Sequence, residues 1–237
     1  MKLIISTVFI LFSFVSNAQD NGPRDVDWTL RLGGTVGYKM IDGWAFDVSW
    51  ETRIENDISQ YEESLIDLTS SYKFDNGIKL HGIYRHNFIP NNPEEYRLTL
   101  GASYAQFVGN SNLEWGIRSR LQRDNLYELN AEEYTLRNKL SLVYELNKRI
   151  GLVIEDELFY TLNDNLGWSR NRITSGIEWE LISNLEFVAF YRFENDLGTE
   201  VADLVHTLGF YLEYTFNQQD KDINDGLPDH FGHPYRW

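Results

Sequence analysis

The sequence predicts an all-β fold, a transmembrane antiparallel up-and-down β-barrel of about twelve strands, eleven of which can be traced. Three observations predict it. Apolar and polar residues alternate with period two along segments of about ten residues. Short turns alternate with longer polar loops. Aromatic residues gather at the segment ends and aliphatic ones between them.

The stretch from Trp28 to Ile54 sets the pattern. Trp28, Leu30, Leu32, Val36, Tyr38 and Met40 share one face, and Thr29, Arg31, Gly33, Thr35, Gly37 and Lys39 the other. After the turn Ile41-Asp42-Gly43, Trp44, Phe46, Val48, Trp50 and Ile54 oppose Ala45, Asp47, Ser49, Glu51 and Arg53. Side chains alternate across a strand, so this is a long hairpin with one apolar and one charged face.

The pattern then repeats. Strands are expected at 63–74 and 78–87, joined by Asp75-Asn76-Gly77, and at 95–107 and 113–122, joined by Gly109-Asn110-Ser111-Asn112. Two more pairs follow, 133–146 with 150–160 across Asn147-Lys148-Arg149, and 170–181 with 185–194 across Ile182-Ser183-Asn184. A last strand covers 202–216. Gly, Asn and Asp mark these turns because they tolerate the backbone angles of tight hairpins. The other connections, 55–60, 88–94, 123–132, 161–169 and 195–201, are longer and more polar. That asymmetry is expected of an outer-membrane barrel.

A soluble lipocalin-like barrel would turn its apolar face inward. Here that face is too bulky for a small lumen. Tyr38, Trp44, Tyr72, Trp115, Tyr144 and Trp179 lie near the short turns, while Trp28, Tyr84, Tyr96, Tyr134, Tyr160 and Phe193 lie near the long loops. Two aromatic girdles around an aliphatic band match two lipid–water interfaces, so the apolar face is expected to meet lipid.

The odd strand count is awkward, because bacterial barrels normally have an even number. Either a twelfth strand exists or the first and last strands pair in parallel. Twelve is the expectation, since an open edge in lipid would leave backbone groups unpaired.

Residues 1–18 read as a cleaved signal peptide: Lys2, an apolar run from Leu3 to Val15, then Ser16 and Ala18 before Gln19. The run is short for a membrane-spanning helix, which needs about 20 apolar residues. Residues 19–27 form a short N-terminal segment, 28–216 the barrel and 217–237 an acidic C-terminal tail. The tail's Asp220-Lys221-Asp222-Ile223-Asn224-Asp225-Gly226 is like a calcium loop, but its glycine is one place late and the bidentate Glu is absent. It therefore reads as solvated tail. A net charge of -15 argues against nucleic acid. The absence of cysteine excludes disulfides, thiolate metal sites and a cysteine nucleophile. No motif calls for a cofactor or a metal.

Glu51-Thr52-Arg53 ends the second strand and Tyr84-Arg85-His86 the fourth, Leu136-Arg137-Asn138-Lys139 lies in the seventh and Tyr191-Arg192 in the tenth, and the signal's Asn17-Ala18-Gln19 ending resembles those of Bacteroidota. Over roughly residues 28–216 this series resembles the outer-membrane barrels of domain of unknown function 2490. The resemblance implies a barrel and an outer-membrane location, and supplies no activity.

The inner face is heavily charged. A cluster of Arg118, Arg120, Arg137, Lys139, Glu155, Glu157, Arg170 and Arg172 is expected around the strand carrying Glu155 and Glu157. Opposite charges on neighbouring strands would pair, fill a narrow lumen and hold register. The same arginines would suit a small anionic solute. The chain thus reads as a narrow or plugged pore, or as a structural or binding barrel, whose partners are outer-membrane lipid and an anionic solute. The alternative is an outer-membrane acyl hydrolase using Ser and His on the lipid face, where His86, His206, Ser64, Ser70, Ser119, Ser175 and Asn138 are available. No nucleophile motif surrounds these serines, so no enzyme is expected. The sequence names no protein partner.

Overall fold

The computed structural model describes residues 26–40, 43–90, 95–126, 131–163, 166–197 and 204–216. The expected signal peptide, most of the short N-terminal segment and the acidic tail lie outside them. Eleven strands form a closed barrel in simple sequence order. They are β1 (Val26–Lys39), β2 (Trp44–Glu55), β3 (Gln60–Lys73), β4 (Lys79–Phe88), β5 (Glu95–Phe107) and β6 (Leu113–Leu126). The circuit continues with β7 (Ala131–Asn147), β8 (Ile150–Thr161), β9 (Gly167–Ile182), β10 (Leu185–Asp196) and β11 (Leu204–Phe216).

Twelve strands is therefore corrected to eleven. The barrel closes by pairing β1 with β11 in parallel, from Val26 opposite Leu204 to Tyr38 opposite Phe216. Parity explains the direction. Each hairpin reverses the chain, so an odd count brings the last strand alongside the first with the same polarity. The seam satisfies both edges, which a sheet in hydrocarbon requires. All other neighbouring pairs are antiparallel.

The strands also run further into the expected long loops than alternation suggests. β6 continues to Leu126 and β7 begins at Ala131, with Asp124 opposite Glu133 and Asn125 opposite Glu132. Beyond the lipid a strand is wetted on both faces. Its hydrophobic alternation fades while its backbone ladder persists.

The apolar face is the outer one. Val48, Trp50, Leu68, Leu100, Ile117, Ile154 and Leu212 are all exposed, Leu100 by 69%. A closed sheet showing this much aliphatic surface is stable against hydrocarbon rather than water. The girdle aromatics meet across strands, tilted or edge to face. Trp44 meets Tyr72 at 5.1 Å, Tyr104 meets Trp115 at 5.9 Å, and on the loop side Tyr160 meets Trp168 at 5.2 Å between ring centroids.

The inner face is polar and tightly filled. Glycines in the wall make room for the filling: a Cβ on Gly209 would overlap the Phe190 ring, and one on Gly101 would overlap the His81 imidazole. Large lumen side chains thus lie sideways over small neighbours.

Candidate functional site in the lumen

Glu157, on β8, is the centre of the lumen network and is 2% exposed. Arg137 comes from β7, directly across the ladder from Phe159. It donates Nε to Glu157 Oε1 at 3.2 Å and Nη2 to Oε2 at 2.9 Å. Such a fork matches a planar carboxylate. Arg118 Nη2 on β6 and Arg172 Nη1 on β9 each stand 3.6 Å from Glu157. One carboxylate therefore holds three guanidinium groups from three strands. Beside it, Lys139 forms an ion pair with Glu155.

Arg172 continues the chain of charges, with Nη2 at 2.5 Å from Glu194 on β10. Arg170 lies nearer the loops, 3.1 Å from Glu194 and 2.9 Å from Asp196. Arg120 turns the other way and donates Nε to His81 Nε2 at 3.3 Å. Of the eight expected cluster residues, Arg118, Arg137, Arg172 and Glu157 thus meet at one point. Lys139 and Glu155 pair next to them, Arg170 sits above, and Arg120 faces a different strand.

Alternation does not single out Phe159, which shares the lumen face with Glu155 and Glu157. The guanidinium carbons of Arg137, Arg172 and Arg170 lie 4.5, 4.8 and 5.7 Å from its ring centroid. The ring is a platform that holds three cations in place. The available signal is an aromatic at the same parity as two lumen carboxylates.

Above this layer a cavity of about 1070 Å³ opens toward the long-loop side, where Asn163, Leu166 and Trp168 line it. Among the described residues nine arginines line it, including Arg31, Arg53, Arg85, Arg97 and Arg192. Six carboxylates accompany them: Glu51, Asp67, Asp124, Glu132, Glu133 and Asp196. Most of these groups are paired. Arg85 forks onto Asp67 with both contacts at 2.7 Å, Arg97 pairs with Asp124, and Arg53 reaches Glu51 at 2.5 Å and also Glu63. The Tyr211 hydroxyl donates to Glu51.

Arg192 differs. It is 1% exposed and forms no ion pair among the described residues. Its Nε donates to Thr174 Oγ1 at 3.3 Å, and its guanidinium lies 5.0 Å from the centroid of Phe190. It stands opposite Thr207 on β11, with Arg31 one strand further round.

Toward the short turns the inward side chains are buried. Val143, Val153, Val188 and Phe190 face inward and none is more than 5% exposed. Glu145 and Glu178 on the same side are equally buried. Walls of a water-filled channel would be wetted, and these side chains are not.

Several of the lipid-face serines and histidines have other partners. Ser119 donates to Asn138 Oδ1 at 2.9 Å, and Ser64 pairs with Thr52 at 3.0 Å. His206 Nδ1 lies 2.6 Å from the Tyr191 hydroxyl, with Trp28 stacked on it at 4.8 Å. His86 packs edge-on against Phe88 at 4.6 Å.

No curated protein matches this sequence. Among solved structures, the chain is similar to one described as "NanC porin structure in rhombohedral crystal form": 15% identical, TM-score 0.49, covering 74% of this chain and 94% of that one. Another is described as "KdgM porin in complex with disordered oligogalacturonate": 16% identical, TM-score 0.44, covering 72% of this chain and 90% of that one. The family whose model matches is described as "Protein of unknown function (DUF2490)", and the match takes in residues 28–201. That span begins in β1 and runs past the end of β10, so it carries the whole Glu157 network and Arg192 at the vestibule wall. On that extent of agreement the chain belongs to the DUF2490 family.

Proposed function

We propose that the protein is an outer-membrane barrel, exported by the signal at residues 1–18, that binds a small anionic solute in a blind vestibule facing the long-loop side. The observation that carries this reading is Arg192. A buried guanidinium with no ion pair among the described residues is costly unless something anionic completes its shell. The described lining of the cavity holds more arginines than carboxylates. Guanidinium groups suit carboxylate or phosphate oxygens because their donors match planar, bidentate acceptors. The packed inner half favours binding over free passage.

The test is calorimetric titration of the detergent-solubilised barrel with citrate, pyrophosphate and inorganic phosphate. At least one should bind, and Arg192→Ala should weaken that binding about tenfold or more, as expected for loss of a charged hydrogen bond. Equal affinity in wild type and Arg192→Ala, or no binding of any of the three, would sink the reading.

A further inference from the structure

The lipid face carries a polar patch that nothing in the vestibule explains. Among the described residues, Asp156 is the only carboxylate on the outer face between the two aromatic girdles. Leu152 and Ile154 precede it on the same face of its strand with 41% and 52% exposure, while Glu155 and Glu157 point into the lumen. Asn171 Nδ2 on β9 donates to Asp156 Oδ1 at 2.7 Å, and the other carboxylate oxygen makes no hydrogen bond among the described residues. Asn171 itself is 2% exposed, and its Oδ1 is buried without a partner. Next to this pair, Asn138 on β7 accepts from Ser119 on β6. Asn138 lies directly opposite Leu158, one outward position from Asp156.

Four adjacent strands thus place a carboxyl, two amides and a hydroxyl in the hydrocarbon band. Hydrocarbon supplies no partner for them, and such groups are costly there in either charge state. Lipid headgroups cannot serve, because the patch lies inside the girdles. Asn138 stands two outward positions from Tyr134 and Asp156 two from Tyr160, and in the ladder Asp156 is one outward step nearer the short turns than Asn138. A twofold axis along the membrane normal, passing between β7 and β8, would bring the Asn138 amide, a donor, of one copy toward the free Asp156 oxygen, an acceptor, of the other, twice over. The patch is therefore self-complementary, as an isologous contact requires.

We propose that this wall, β6 to β9, is the contact face of a dimer with a second copy of the chain. The inference is independent of the vestibule's ligand. It needs only the barrel's placement in lipid.

The natural chain has no cysteine, so single thiols report cleanly. Leu158→Cys sits inside the patch, and Leu68→Cys, on the far wall, is the control. Both variants are treated with a bifunctional thiol cross-linker in native membranes and, after purification, in liposomes. The expected result is a dimer from Leu158→Cys in both settings, about tenfold above the control. Adding Asn138→Leu and Asp156→Leu should lower that yield about tenfold while the folded, unboiled gel mobility is kept. Equal cross-linking at the two positions would overturn the proposal. So would a product with a different protein in native membranes and no dimer in liposomes, or a dimer that survives both substitutions.

Discussion

Glu157 sits among Arg137, Arg118 and Arg172 with almost no contact to water. Ion pairs so buried add little net stability when whole, but breaking one strands the partner charges. Glu157→Ala leaves three guanidinium groups short of an acceptor. It should destabilise the barrel by about 3–5 kcal/mol, read as a lower urea midpoint for the heat-modifiable gel shift. At the rim the balance is different. Arg123 meets Glu132 in the open, their side chains 36% and 45% exposed, so water replaces whichever partner is lost. Glu132→Ala should therefore leave the same midpoint unchanged. A rim variant as damaging as Glu157→Ala would show that burial is not what makes the Glu157 network matter.

The alternation made the facing of these residues legible, since Arg137, Lys139, Glu155 and Glu157 share one parity. It did not show which charge meets which, because that depends on register and on side chains leaning across neighbouring strands. Asp156 was legible in part. Glu155-Asp156-Glu157 is an acidic run within a strand, and three consecutive side chains cannot all face one side.

At the scale of elements, the seam between β1 and β11 decides the architecture. Their parallel register pairs Leu30 with Leu208 and Leu32 with Phe210. A double variant, Leu30→Cys with Leu208→Cys, should therefore form a disulfide within one chain under oxidation, seen as a shifted band on a denaturing gel. A pair offset along the strand, Leu30→Cys with Leu212→Cys, should not. The reverse outcome would mean a shifted register at the seam. The β2–β3 turn braces the same seam. The Asp57 amide donates to Asp27 Oδ1 at 2.8 Å and the Ile58 amide to the Trp28 carbonyl at 3.0 Å. Asn56, Asp57 and Ile58 all take positive φ there, 51°, 55° and 60°. Asn and Asp tolerate this region, whereas a β-branched residue is strained in it. Strand positions and most turns were readable from period and punctuation. Strand ends on the loop side were not, because hydrogen bonding outlasts the hydrophobic pattern.

For the whole molecule, the contrast between an arginine-rich outer vestibule and a packed inner half sets the expected transport behaviour. In the proposed reading Val143, Val153, Val188 and Phe190, all buried, form the floor of the vestibule. In planar bilayers the wild-type barrel should give no steady conductance. Replacing Val188 and Phe190 by Gly should open measurable steps, because it removes bulk from the layer that excludes water. Steady wild-type channels would refute the blind vestibule.

The sequence by itself determined the barrel class, the outward apolar face and the charged lumen. These follow from a period of two, and a strand has only two faces to assign. The tertiary structure alone decided the parallel closure, the convergence of three guanidinium groups on Glu157 and the lack of an ion pair at Arg192. Each depends on which residues stand opposite one another around the circuit. Register and closure arise from the whole sheet meeting its own edge, and no single strand's pattern contains them.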